Sequence, residues 1–152
     1  MDILLGFTPY VAFFVIMRIG AIEAAMWAAF AVAVLVALMG RWRGHSPKIL
    51  EIGAVVLFGA LAAFTAIAHW DWSLTTVRLA VDLGLLAIVL VSIAVSRPFT
   101  MQYARERVPQ EYWQTPLFLA INRWITWVWA GAYAVLVLAH AITVVFAGPG
   151  LG

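Results

Sequence analysis

The sequence contains no cysteine. That excludes a disulfide framework and any thiolate metal site, and it leaves the redox compartment unread. Charge is nearly as scarce: Asp, Glu, Lys and Arg together make up 11% of the 152 residues, where soluble domains carry roughly a quarter. A glycine-rich phosphate loop, an HExxH spacing and a serine beside a histidine and an acid are all missing, so the local signatures of nucleotide, zinc-hydrolase and nucleophilic chemistry are absent. No internal repeat and no low-complexity tract is present. Asp2 stands where a secretory leader would carry basic residues, and the first apolar run is expected to be retained rather than cleaved.

What fills the sequence instead is apolar. Hydrophobic residues make up 66% of it and the mean hydropathy is +1.03, a composition that belongs to the bilayer. The expected fold is all-α: one polytopic transmembrane helical bundle occupying residues 1–152. Five apolar segments are read as spans, over about 3–19, 21–39, 49–69, 75–96 and 116–146. Pro9 falls near the start of the first, where it suits the first turn of a helix. The first two segments form either a helical hairpin or a partly re-entrant pair, the hairpin being favoured because both runs approach spanning length. Gly40 is expected to stop the second segment. Gly53 and Gly59 give the third a face open to close approach by another backbone, within the chain or in a homo-oligomer. Between segments four and five, Pro98 and Pro109 bracket FTMQYARERV. That stretch reads as a short amphipathic helix on the membrane surface, with Phe99, Met101, Tyr103, Ala104 and Val108 on one side and Arg105 and Glu106 outward.

The last segment is the most informative. Thr115 followed by Pro116 makes a strong helix start, a capping hydroxyl ahead of a proline at the first helical position. Asn122, Thr126, Trp129, Tyr133, Leu136, His140 and Thr143 then recur at steps of three and four, and so share one helical face. A polar stripe of this kind serves a helix packed among others.

Lys and Arg collect in two loops. Arg41, Arg43 and Lys48 lie between segments two and three; Arg97, Arg105 and Arg107 lie between four and five, with Arg123 just inside the last span. Five spans put both loops on one side, which the positive-inside rule makes the cytoplasm. The N-terminus is then cytoplasmic and the uncharged AGPGLG tail lies outside.

Ionisable groups inside the bilayer point to function by default. This topology gathers Arg18, Glu23, His69, Asp71, Arg78, Asp82 and His140 near the outer surface. Glu51, Ser92, Ser96, Arg97, Asn122 and Arg123 fall near the inner one. The simplest account is structural, with Arg78 neutralising Asp82 one turn away. A sharper one makes the outer cluster a proton or ion site. A third takes His69 and His140 as axial haem ligands, though their depths do not match. Trp70, Trp72, Trp113 and Trp124 suit interfacial anchoring. Trp127, Trp129 and Tyr133 lie deeper, either packed against small neighbours or lining a pocket for an aromatic or isoprenoid ligand. The basic loops suit anionic lipid headgroups or a protein partner, with Arg97, Arg105, Arg107 and Trp113 as the contact residues, better than they suit nucleic acid.

Several of these positions form a pattern. Phe7, Pro9, Phe13 and Phe14 make an F-x-P-x-x-x-F-F stretch followed by a basic residue and a turn into an alanine-rich helix. Phe58-Gly59 sits mid-segment, Arg97-Pro98 opens the second basic loop, and Pro116 precedes Asn122 by six residues in a Trp-rich final span. Over roughly residues 5–145 the chain resembles the intracellular septation protein A family of bacterial inner-membrane proteins. The resemblance implies a multi-pass, non-enzymatic protein of the inner membrane, without cofactor, that supports cell division, elongation and envelope integrity through contacts with other envelope proteins. It carries no catalytic set to transfer. A small proton- or ion-coupled carrier using the outer polar cluster is the alternative.

Overall fold

The structure, a computed structural model, describes residues 3–19 and 21–147; Asp2 and the tail after residue 147 lie outside them. It is all-helical among the described residues: α1 (Ile3–Met17), α2 (Ile22–Trp42), α3 (Ile49–Ala68), α4 (Leu74–Ala94), the short α5 (Phe99–Ala104) and α6 (Pro116–Ala147), with one 3-10 turn at Gln110–Tyr112. Four of them, α2, α3, α4 and α6, are long and apolar enough to cross a membrane. α1 is apolar but has 15 residues, about 22 Å of helix against a hydrocarbon core of about 30 Å.

The helix boundaries follow local chemistry, with two corrections to expectation. Ser73 caps α4, accepting from the Thr76 amide at 3.1 Å. Thr115 takes that part for α6, accepting from the Phe118 amide at 3.4 Å. Gly40, however, does not stop α2. It is buried within the helix, and the chain turns at Gly44, whose φ of +78° is the left-handed conformation that glycine reaches without penalty. Pro9 is not in the first turn either. It lies buried inside α1, where it removes one intrahelical donor; Thr8 meanwhile donates its hydroxyl to the Leu4 carbonyl at 3.2 Å.

α1 packs on α2 and α3, α3 on α4, and α4 on α6. Inner faces repeat at steps of four: Ala25, Ala29 and Ala33 on α2, Ala54, Phe58 and Ala62 on α3, Val77, Val81, Leu85 and Val89 on α4. The small residues let backbones approach closely, which in hydrocarbon replaces the missing hydrophobic drive. α1 fills the space over them with rings, Tyr10 and Phe13 lying 5.3 and 5.4 Å from Phe58. Gly53 meets Ile88 of α4 and Gly59 meets Phe30 of α2, so both glycines serve contacts within the chain.

Burial runs opposite to that of a soluble domain. Lys48, Glu51, Thr65, Asp82, Ser92, Thr100, Asn122 and Thr126 are buried, while Leu35, Val56, Ile67, Trp124, Trp127, Leu138 and Phe146 are exposed. A continuous apolar exterior of this extent is solvated by lipid. The protein is a multi-pass membrane protein.

α5 ties the helix ends together. The Phe99 amide donates to Ser92 Oγ of α4 at 3.2 Å. Thr100 Oγ1 lies 2.7 Å from Thr126 Oγ1 and donates to the Asn122 carbonyl of α6 at 3.0 Å. Gln102 Oε1 accepts the Ile49 amide at 2.8 Å, satisfying one of the orphan donors at the start of α3. Burial in α5 is not one-sided: Phe99, Thr100, Met101 and Tyr103 are all covered. Gly6 of α1 closes this assembly, for a Cβ there would fall 2.2 Å from Tyr103 Oη and 3.0 Å from Leu50. Gly6→Ala should therefore displace Tyr103 and destabilise the protein by about 1–3 kcal/mol, the usual range for overpacking, read as a lower melting temperature in detergent. An unchanged melting temperature would mean that α1 slides freely past α5.

Candidate functional site

Ionisable groups concentrate at the two ends of the bundle. At the first, the start of α1 meets the loops 43–48 and 95–115. Lys48 is 2% exposed, and its ammonium lies 2.6 Å from Glu106 and 5.4 Å from the centre of the Tyr103 ring. His45 Nε2 stands 3.8 Å from the same carboxylate, and Glu51 is buried one helical turn beyond Lys48. Glu106 is an exposed residue, as expected, but its side chain is only 19% exposed and reaches back to Lys48. Burial disfavours its charge, but the hydrogen bond and charge of Lys48 outweigh that and hold the Glu106 carboxyl below its ordinary range. Tyr103 is pushed the other way, first by burial and then by the nearby Glu51 and Glu106 carboxylates.

The proposed contact residues lie on the outer surface of this end. Arg97 and Arg107 are exposed. Arg105 is half-buried, its guanidinium over the Trp113 ring at 5.4 Å, and Trp113 is itself fixed by donating to the Val108 carbonyl at 2.9 Å. Between the two loops lies an open basin of about 1010 Å³ that includes His45, Ser46, Ser96, Arg97, Arg105 and Trp113 in its lining. Of the group expected at this depth, Ser92 holds α5 through the Phe99 amide, Asn122 lends α5 only its backbone carbonyl while its side-chain amide donates to the Phe118 carbonyl of its own helix, and Arg123 faces outward.

At the opposite end, Asp82 of α4 and His140 of α6 form a close acid–imidazole pair, Nδ1 to Oδ2 2.5 Å. Asp82 is 3% exposed. The pair borders a cleft of about 560 Å³ between α1, α4 and α6, whose wall includes Arg18, Arg78, Tyr10, Trp129 and Tyr133. Trp129 bridges the helices, stacked 5.3 Å from Phe7 of α1 and 5.9 Å from Tyr133, so Trp129 and Tyr133 border the cleft, whereas Trp127 is exposed and does not. The outer cluster is therefore assembled in part. Arg18, Arg78, Asp82 and His140 converge, with His140 rather than Arg78 as the direct partner of Asp82. Glu23, His69 and Asp71 are exposed and do not line the cleft. His69 ends α3 in the left-handed conformation, φ +50°, and the Nδ1 of His140 is engaged by Asp82, so the structure does not set two imidazoles up as a haem pair. Thr65, one turn before His69 on α3, accepts the Trp72 indole N–H at 2.8 Å, which fixes the α3–α4 turn.

Sequence reasoning missed two members of the basic end. Lys48 reads as a loop cation, and nothing in the sequence singles out Gln102. The one local signal was Lys48 three residues ahead of Glu51 at a helix start. Comparison with family models, curated proteins and solved structures finds no match to the chain.

Proposed function

We propose that this is a non-enzymatic inner-membrane protein that supports cell division, elongation and envelope integrity through protein and lipid contacts at its basic end. The observation that carries the proposal is the locking of α5 by hydrogen bonds to α3, α4 and α6, which gives Arg97, Arg105, Arg107 and Trp113 a fixed frame. A rigid, basic, tryptophan-bearing surface suits docking, because little ordering entropy is spent when a partner arrives. In this proposal α1 is a fifth membrane-embedded segment, α5 and its flanking loop lie at the interface, and the basic end faces the cytoplasm. The family resemblance supplies the biological setting.

The test is in-cell photo-crosslinking from positions 107, 111 and 112, with the captured proteins identified by mass spectrometry. Division or elongation proteins should be captured, and lost when Arg105→Glu and Arg107→Glu are combined in a chain that still folds. Lipid alone at all three positions would overturn the adaptor function.

The Asp82–His140 pair favours a second function, a small proton- or ion-coupled carrier, since an ionisable pair beside a lipid-open cleft is suited to proton exchange. Asp82→Asn with intact folding would then abolish proton-coupled uptake in vesicles while leaving partner capture at the basic end unchanged.

A further inference from the structure

Beside the basic basin, α3 and α4 diverge and leave a groove of about 780 Å³ facing outward. Its wall is hydrocarbon: Ile52, Val56, Ile88, Val91 and Val95, with Gly53 at its floor against Ile88. The groove does not end blindly. Pro47, Ile52, Arg97 and Gln102 line both it and the basin, so one continuous surface passes from apolar to cationic. Its direction matches a lipid: α3 begins at the basic end, and from Ile49 to Val56 the groove descends about 10 Å along the helix.

The polar part is arranged for an anion. Arg97 and Arg105 border it from one side, Ser46 and His45 from the other. Two donor-capable atoms there, Arg105 Nε and His45 Nδ1, are buried without a hydrogen-bond partner. Each such atom is costly to leave unmet away from water. The acid in the basin, Glu106, is neutralised by Lys48 from behind, so the net charge presented to a ligand is positive.

We infer that the α3–α4 groove and the adjoining basin form a binding site for one anionic glycerophospholipid, its phosphate held by Arg97 and Arg105 and an acyl chain lying over Ile52, Val56, Val91 and Val95. The site rests on the lipid-contact half of the proposed function and gives that contact a specific place. Planar guanidinium forks suit a phosphate better than a diffuse headgroup layer would require, and basic pockets between helices recognise anionic headgroups in this way. A zwitterionic lipid brings its own cation into the basin and meets repulsion from both arginines.

The experiment is native mass spectrometry of the delipidated full chain titrated with phosphatidylglycerol or phosphatidylethanolamine. One phosphatidylglycerol should be retained in preference to phosphatidylethanolamine. Arg97→Gln should weaken its retention about fivefold, the value of one basic residue near an anionic headgroup. Val91→Trp, on the lipid-exposed wall and outside the core, should fill the groove and abolish the retained adduct, while Arg41→Gln in the last turn of α2 leaves it intact. Equal retention of the two lipids, or adducts unchanged by both Arg97→Gln and Val91→Trp, would overturn the site. Retention lost equally with Arg41→Gln would show diffuse attraction to the basic end, which leaves the adaptor surface standing and removes only the groove. Failure of photo-crosslinking with the lipid site intact would do the reverse.

Discussion

Replacing His140 with alanine is expected to destabilise the protein by about 3 kcal/mol, near the lower end of what breaking a buried ion pair costs. Asp82 is nearly inaccessible while the His140 side chain is 26% exposed, so the penalty falls mainly on the carboxylate left behind. Arg78 lies one turn away on the same helix and reaches Asp82 only by longer-range attraction. The double variant Asp82→Asn/His140→Gln should recover most of the loss, since two neutral amide-bearing side chains can still bond to each other without a charge to bury. Thermal unfolding of the wild type, Asp82→Asn, His140→Gln and the double variant in one detergent gives the coupling directly. If His140→Ala and the double variant melt together, the pair contributes nothing to stability, and its retention in the bilayer would then favour the carrier function.

The second large effect is expected at Lys48. Lys48→Met keeps the side chain's length and burial but takes from Glu106 its ammonium partner at 2.6 Å. Glu106 is 19% exposed and can turn toward water, so about 2–3 kcal/mol is expected rather than the full cost of an orphaned buried charge. Lys48→Met/Glu106→Gln should restore part of this. The pair also sets an acid limit. The Glu106 carboxyl is held below its ordinary range in the folded protein, so its stabilisation is complete above the unfolded value of about 4.3. It is lost as pH falls through the lower folded value. The wild-type melting temperature should therefore fall on acidification below about pH 4 by more than that of Glu106→Gln, which has no proton to take up there. Parallel pH profiles would show that the salt bridge does not form in solution.

Much of this architecture could be read from residues in order. The α6 cap, its polar stripe and the spacing of basic loops depend on helical period and local capping, which act over a few residues and leave a sequence signature. Asp82 and His140 were placed at one depth because depth along antiparallel helices is a matter of counting. Their direct pairing was not legible, since helix rotation decides whether Arg78 or His140 reaches the carboxylate. The basic end was read least well. The pairing of Lys48 with Glu106 and of Gln102 with Ile49 joins residues more than fifty positions apart, and the turn at Gly44 rather than Gly40 depends on how far α2 is supported by its neighbours. Local charge arithmetic turns Glu106 outward; the buried Lys48 ammonium draws its carboxylate back.

The unequal lengths of α1 and α6 have a consequence for the surrounding membrane. α6 has 32 residues, about 48 Å of helix, and α1 less than half that, yet the two border the same cleft. A bilayer that matches α6 is too thick for α1, whose end carries Arg18 toward the acyl region. With α1 embedded as proposed above, lipid beside it would have to thin, or Arg18 would draw water and headgroups down to itself, while α6 tilts or stands proud on the other flank. The protein would thus impose a thickness gradient across its own width, and would be most at home where the bilayer is already thin or curved.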